Sequence, residues 1–134
     1  MTADACASGP PAPFAVITSS DNMMLKQVRW LGDSRERISG FPDLPRREAG
    51  YQLARVQAGK VPKDWKPMPS VGIGVNEIRV RDESGAFRVI YLVKFAEAVY
   101  VLHAFQKKSR KTGTSDIDLA RKRFRDLVQE RKRR

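Results

Sequence analysis

Val75-Asn76-Glu77-Ile78-Arg79-Val80-Arg81, then Asp82-Glu83-Ser84-Gly85, then Phe87-Arg88-Val89-Ile90-Tyr91-Leu92-Val93-Lys94 form the stretch on which the fold turns. The first run alternates Asn76, Ile78 and Val80 against Val75, Glu77, Arg79 and Arg81, the period of two expected of a half-buried strand. Asp82 to Gly85 carries hairpin-turn chemistry. Phe87–Lys94 and Ala98–Gln106 are both rich in β-branched and aromatic residues. The loop between them, near Ala96-Glu97, is too short for a parallel crossover, so the three runs read as an antiparallel meander.

Upstream, Leu25 to Leu31 has strand character and Gly32 closes it. Asp33-Ser34 is a good N-cap for a short helix over about 34–40, which Gly40 and Pro42 interrupt. A second helix, roughly 43–58, places Leu44, Ala49, Leu53 and Val56 near helical spacing and stops at Gly59. Two short helices on a tight turn make an αα-hairpin. Pro62, Pro67 and Pro69 mark a loop or edge segment around Trp65-Lys66. Downstream, Thr112-Gly113-Thr114-Ser115 breaks the chain and Ser115 is the expected cap of a final helix. Asp116 and Asp118 in its first turn suit the helix dipole. Ile117, Ala120, Phe124, Leu127 and Val128 form its apolar stripe, and Arg121, Lys122, Arg123 and Arg125 the rest. The order β-α-α-β-β-β-α predicts an α+β domain with helices against one sheet face.

One domain is expected over residues 23–134, preceded by a flexible extension over 1–22, which holds five alanines, three prolines and no lysine or arginine. Met23-Met24 is a candidate natural start. Across the 134 residues, 26 Lys and Arg stand against 15 acids, a net of +11. Residues 107–134 hold 12 basic and 4 acidic residues, a net of +8, while the rest carries 14 and 11, a net of +3. Such a segment attracts polyanions, and nucleic acid is the leading partner. The plainer reading is a solvated helix face with a basic tail. Cys6 and His103 are each the single residue of their type, which leaves no set for a His/Cys zinc site and no internal disulfide. No cofactor is called for. No apolar run approaches a membrane span and no secretory signal opens the chain, so a cytoplasmic location is expected.

RNA is cut without metal when a base takes the 2′-hydroxyl proton, cations stabilise charge on the phosphate, and an acid protonates the leaving oxygen. Arg79, Arg81, Arg88, Lys107 and Lys108 lie on or just beyond adjacent strands, with His103 and Tyr91 among them. By parity His103, Phe105 and Lys107 share one face of their strand, and Arg79 and Arg81 one face of theirs. Registers that unite these faces make one cationic surface with an aromatic ring for base stacking. Each residue has a duller alternative. Arg79 and Arg81 read equally as solvent-facing strand residues, and His103 as a hydrogen-bonded structural residue. Tyr91 and Phe105 read as core. The run Lys107-Lys108-Ser109-Arg110-Lys111 is either solvated or a phosphate-gripping loop.

Several segments resemble the phage-related branch of the RelE/HigB-like toxins, within the RelE/ParE superfamily. They are Val28-Arg29-Trp30-Leu31-Gly32-Asp33-Ser34, Gln57-Ala58-Gly59 with Asp64-Trp65-Lys66-Pro67-Met68, Gly72 to Val80, Gly85 to Tyr91, and above all Tyr100 to Thr112. Together they span about residues 25–125. The resemblance implies a RelE-like toxin fold and metal-independent endonucleolytic cleavage of mRNA, commonly on the ribosome. It also implies an antitoxin partner, usually a small helix-turn-helix protein encoded by a neighbouring gene. Arg79 matches a catalytic basic residue of such toxins, Arg88 the arginine of the following strand, and Lys107 a basic residue after the last strand. Arg88 and Lys107 are thus expected to stabilise phosphate charge and Arg79 to assist proton transfer, with Arg81, Tyr91, Phe105, Lys108 and Lys111 as RNA contacts. Two departures stand out: Glu77 occupies a position where well-known ribosome-dependent members carry lysine, and no tyrosine follows Tyr100. His103 is the expected substitute for acid-base work. The alternatives are a toxin of the same superfamily acting on DNA gyrase and a non-catalytic basic module.

Overall fold

A computed structural model describes residues 25–108 and 113–133. The extension over 1–22 and Lys111 lie outside them. In chain order the elements are β1 (Gln27–Trp30), α1 (Ser34–Ser39), α2 (Asp43–Gln57), β2 (Trp65–Pro67), β3 (Val75–Asp82), β4 (Gly85–Leu92), β5 (Ala98–Lys107) and α3 (Thr114–Arg133). The domain is α+β, and the segment around Trp65-Lys66 is a short edge strand, its prolines compatible with a position where one side of the ladder is open.

One five-stranded sheet runs in the order β1-β5-β4-β3-β2. The meander β3-β4-β5 is antiparallel, closed at its first turn by the Asp82↔Gly85 pair. β1 returns beside β5 in parallel, Gln27 opposite Ala98 and Trp30 opposite Val101. β5 carries one extra residue: Ile90 pairs with His103 but Tyr91 with Val101, so Leu102 has no opposite number on β4.

The helices occupy both faces of the sheet rather than the single face expected. α1 and α2 cover one face, with Ile38, Phe41, Ala49, Leu53 and Val56 packed on Ile78, Val80, Phe87, Val89, Tyr91, Val99, Val101 and Ala104. α3 crosses the other face, where Ala120 and Leu127, with Ile117 and Phe124 beside them, meet Ile90, Leu92, Tyr100, Leu102 and Phe105. The separation follows from period-two strands whose two faces are both partly apolar, a pattern that needs a cover on each side.

α3 is also tied down by polar contacts. Arg123 donates to the Leu102 carbonyl at 2.9 Å and pairs with Asp33 at 2.8 Å. Arg121 donates to the Ser70 carbonyl, and Arg131 lies over the Phe95 ring while pairing with Glu97. Gly32 makes the first of these possible: its φ is +55°, and a Cβ there would lie 2.4 Å from the Arg123 guanidinium. Asp33 stands at the N-cap position of α1 but makes no capping hydrogen bond, because its carboxylate is taken by Arg37 and Arg123. α3 begins at Thr114, one residue before the expected Ser115 cap, and the Gly113 carbonyl accepts the amides of Asp116 and Ile117.

Candidate nucleic-acid interface

Register gives the α3-side face of the sheet an ordered grid. One row across β2, β3, β4 and β5 is Lys66, Glu77, Ile90, His103; the next is Arg79, Arg88, Phe105; the last is Arg81, Ala86, Lys107. Directly paired residues point to the same side of a sheet. The registers therefore unite Arg79, Arg81, Arg88 and Lys107 on one face, and they add Lys66 and Glu77.

α3 covers only the β5 side of this grid. Arg81, Lys66 and Lys108 are exposed, while Arg79 and Lys107 are half-buried. Arg88 and Glu77 form the floor, with side chains 2% and 1% exposed and Nε and Oε1 3.5 Å apart. The Arg88 guanidinium also donates to the Phe87 carbonyl at 3.1 Å. Neither Glu77 oxygen has a hydrogen-bond partner, and the half-buried Arg79 leaves its Nε unpartnered. Burial pushes the Glu77 carboxyl above the ordinary carboxylate range, against the pull of Arg88, Lys66, Arg79 and Lys107. Burial lowers Arg88, with Arg79 and Arg81 adding to it and Glu77 opposing. Lys107 is lowered as well, first by desolvation and then by Arg88, with Glu77 opposing.

Three residues expected at the site are placed elsewhere or committed. His103 is fully buried; its Nε2 lies 2.8 Å from an Asp116 oxygen, so the ring fastens the first turn of α3 to β5. Desolvation lowers its pKa more than Asp116 raises it, and Nδ1 has no hydrogen-bond partner. Phe105 shares the cationic face, but it is 4% exposed and stacks on His103 with centroids 5.1 Å apart, so its faces are not open to a base. Tyr91 belongs to the opposite face, 2% exposed beneath α2, and burial pushes its hydroxyl up to about 12 although Asn76 hydrogen-bonds it. The reason is parity: Tyr91 is one residue past Ile90 and points away from Arg88.

Sequence reasoning misses Glu77 and Lys66 as site residues. Glu77 occupies the same strand parity as Arg79 and Arg81, which is a usable signal. Lys66 is hidden because nothing local indicates which strand a three-residue proline-bounded segment joins.

The fold and this face together define a small basic α+β domain with a cationic patch around a buried carboxylate, a surface that attracts anions. The chain belongs to the phage-derived Gp49-like family, whose profile matches residues 36–125. This is a RelE-like toxin family common in toxin–antitoxin systems, and the family implies an antitoxin partner. No curated protein matches the chain. Among the described residues no helix is long and apolar enough to cross a membrane.

Proposed function

We propose that the protein is the toxin of a toxin–antitoxin pair and an endoribonuclease that cleaves mRNA, with the ribosome as the setting of cleavage and a helix-turn-helix antitoxin as its partner. The observation that carries the reading is the convergence of Lys66, Arg79, Arg81 and Lys107 around the Glu77–Arg88 floor, on the part of the sheet that α3 leaves open. Cations in that arrangement suit a phosphodiester, and arginine adds bidentate geometry.

In this reading Lys66, Arg79 and Arg81 hold the phosphate, and Arg88 contributes its charge from beneath. Glu77 replaces His103 as proton acceptor, because burial makes its carboxylate a stronger base and both oxygens have free lone pairs; RNA binding has to uncover one of these oxygens, which are sealed in the free protein. The 2′-oxygen attacks phosphorus while its proton passes to Glu77. The bond to the 5′-oxygen breaks, leaving a 2′,3′-cyclic phosphate, and the leaving oxygen takes a proton from the Lys107 ammonium. Desolvation and neighbouring cations make that ammonium a better acid than an ordinary lysine.

The test is to induce the protein alone and map 5′ ends of cellular mRNA. New ends within translated messages, lost in Arg79→Ala, are expected. Growth arrest with intact messages and broken DNA would point to gyrase instead and overturn the reading.

A further inference from the structure

A second surface lies outside the cationic grid. Of the five large apolar side chains that the described residues leave exposed, four (Leu44, Tyr51, Val61 and Trp65) border α2 or the β2 side of the sheet. Leu44 is 63% and Tyr51 53% exposed, and both line a cleft of about 560 Å³ whose other wall is the end of β3 from Arg79 to Asp82. Leu44 and Tyr51, seven residues apart on α2, share this cleft, while Val61 and Trp65 line a different one.

The β3 wall of that cleft is an unfinished sheet edge. β2 pairs with β3 only from Asn76 to Ile78, and the last bond beyond it runs from the Arg79 amide to the Asp64 carbonyl at 2.9 Å. Backbone groups on one strand edge recur every second residue, so the Arg81 amide and carbonyl point the same way as those of Arg79. Among the described residues no strand lies opposite them. Outward-facing main-chain donors and acceptors are matched by another main chain, which selects an extended polypeptide.

Side-chain chemistry narrows the occupant further. A strand added there would alternate its side chains between two faces. On one it would meet Arg79 and Arg81, and on the other Leu44 and Tyr51 of α2, with Arg47 and Glu48 between them on the same wall. We propose that this edge docks an extended segment of a partner protein in which acidic residues alternate with apolar ones, and that the segment competes with RNA for Arg79 and Arg81. A second copy of this chain is a poor occupant, because pairing two β3 edges would set Arg79 and Arg81 against the same arginines of the copy. The competition rests on the nuclease reading above; the docking does not.

The probe is a fluorescein-labelled, end-blocked decapeptide of alternating glutamate and valine, titrated into the full chain. Binding is expected, with the Arg81 amide protected from hydrogen exchange. The double variant Leu44→Ala/Tyr51→Ala should weaken it at least tenfold while leaving affinity for a 2′-deoxy oligonucleotide unchanged. A peptide alternating lysine and valine should not bind. Equal binding by the double variant, protection located on α3 instead, or a dimer of the chain that the double variant dissolves would each overturn the proposal. Peptide binding by a wild-type protein that neither binds nor cleaves RNA would uphold the docking site and overturn the nuclease reading alone.

Discussion

Glu77 and Arg88 face each other across β3 and β4 with Oε1 and Nε 3.5 Å apart, both side chains all but sealed from solvent. Two desolvated ions at that separation attract strongly, yet neither carboxylate oxygen receives a hydrogen bond. Buried pairs with unsatisfied lone pairs are poor devices for stability alone. The pair is better understood as a charged floor that sets the potential for whatever binds above it.

Glu77→Gln keeps the shape and removes the base. Cleavage of an all-ribose oligonucleotide should fall by about 100-fold, on the order of what a general base supplies. Affinity for the 2′-deoxy analogue should hold or rise, since a negative charge has left the patch. In the wild type the rate should fall as pH drops through a Glu77 pKa lying above the ordinary 4.5, and the variant should lack that limb. A Glu77→Gln variant with the wild-type pH profile would remove Glu77 from the chemistry.

Arg79→Ala, Arg81→Ala and Lys107→Ala should each weaken RNA binding, with little dependence on sequence. Each lost phosphate contact lowers the slope of log affinity against log salt by about 0.7 on a single strand. Binding isotherms at several salt concentrations measure this; unchanged slopes would move the interface elsewhere.

His103 is expected to act on stability rather than on the reaction. Its folded pKa lies below the ordinary 6.5, so the folded state binds fewer protons than the unfolded chain. The contribution is fully present above 6.5 and is lost as pH falls through the folded value. His103→Gln should flatten the acid side of the denaturation midpoint against pH and leave cleavage per folded molecule near wild type. A hundredfold loss of cleavage in a folded variant would return His103 to the chemistry.

Asp33 is held at about 2, first by hydrogen bonds from Arg37 and Arg123. Its stabilisation is present above the ordinary 3.8 and disappears as pH falls through about 2. The side chain is 40% exposed, so solvent screening cuts the effect to about 1 kcal/mol. Asp33→Asn should lower the unfolding free energy by that amount at neutral pH and match the wild type near pH 2; urea titrations decide it.

The meander, both helices of the hairpin and the final helix were legible because each announces itself locally: alternation in Val75–Arg81, turn chemistry at Asp82–Gly85, apolar spacing from Leu44 to Val56. The parallel return of β1 to β5 was not, since a four-residue strand does not reveal which of several neighbours it will join about 70 residues later. For the site, strand parity grouped Arg79 with Arg81 and His103 with Lys107, and the register united them. Accessibility was the missing quantity. Nothing in the sequence around His103 or Phe105 indicates that α3 will fold over them, and Tyr91 differs from Ile90 only in parity.

The unpaired Leu102 has a consequence for how this strand tolerates change. Before it, Ala98, Tyr100 and Leu102 serve the α3 side; after it, His103, Phe105 and Lys107 do, so the strand changes phase from even to odd at one residue. Deleting Leu102 itself would remove the extra residue and leave a regular strand with Ala98, Tyr100, His103, Phe105 and Lys107 in one phase, at the cost of the Leu102 side chain and of the carbonyl that Arg123 grips. Deleting a paired residue beyond it, such as Ala104, does put the halves out of step: either the apolar half stays seated and Lys107 swings to the side of α1 and α2, or the cation stays and the α3 contacts invert. Single-residue insertions and deletions at the paired positions of this strand should therefore be far more damaging than loss of Leu102, because they re-address every side chain on one side of the lesion.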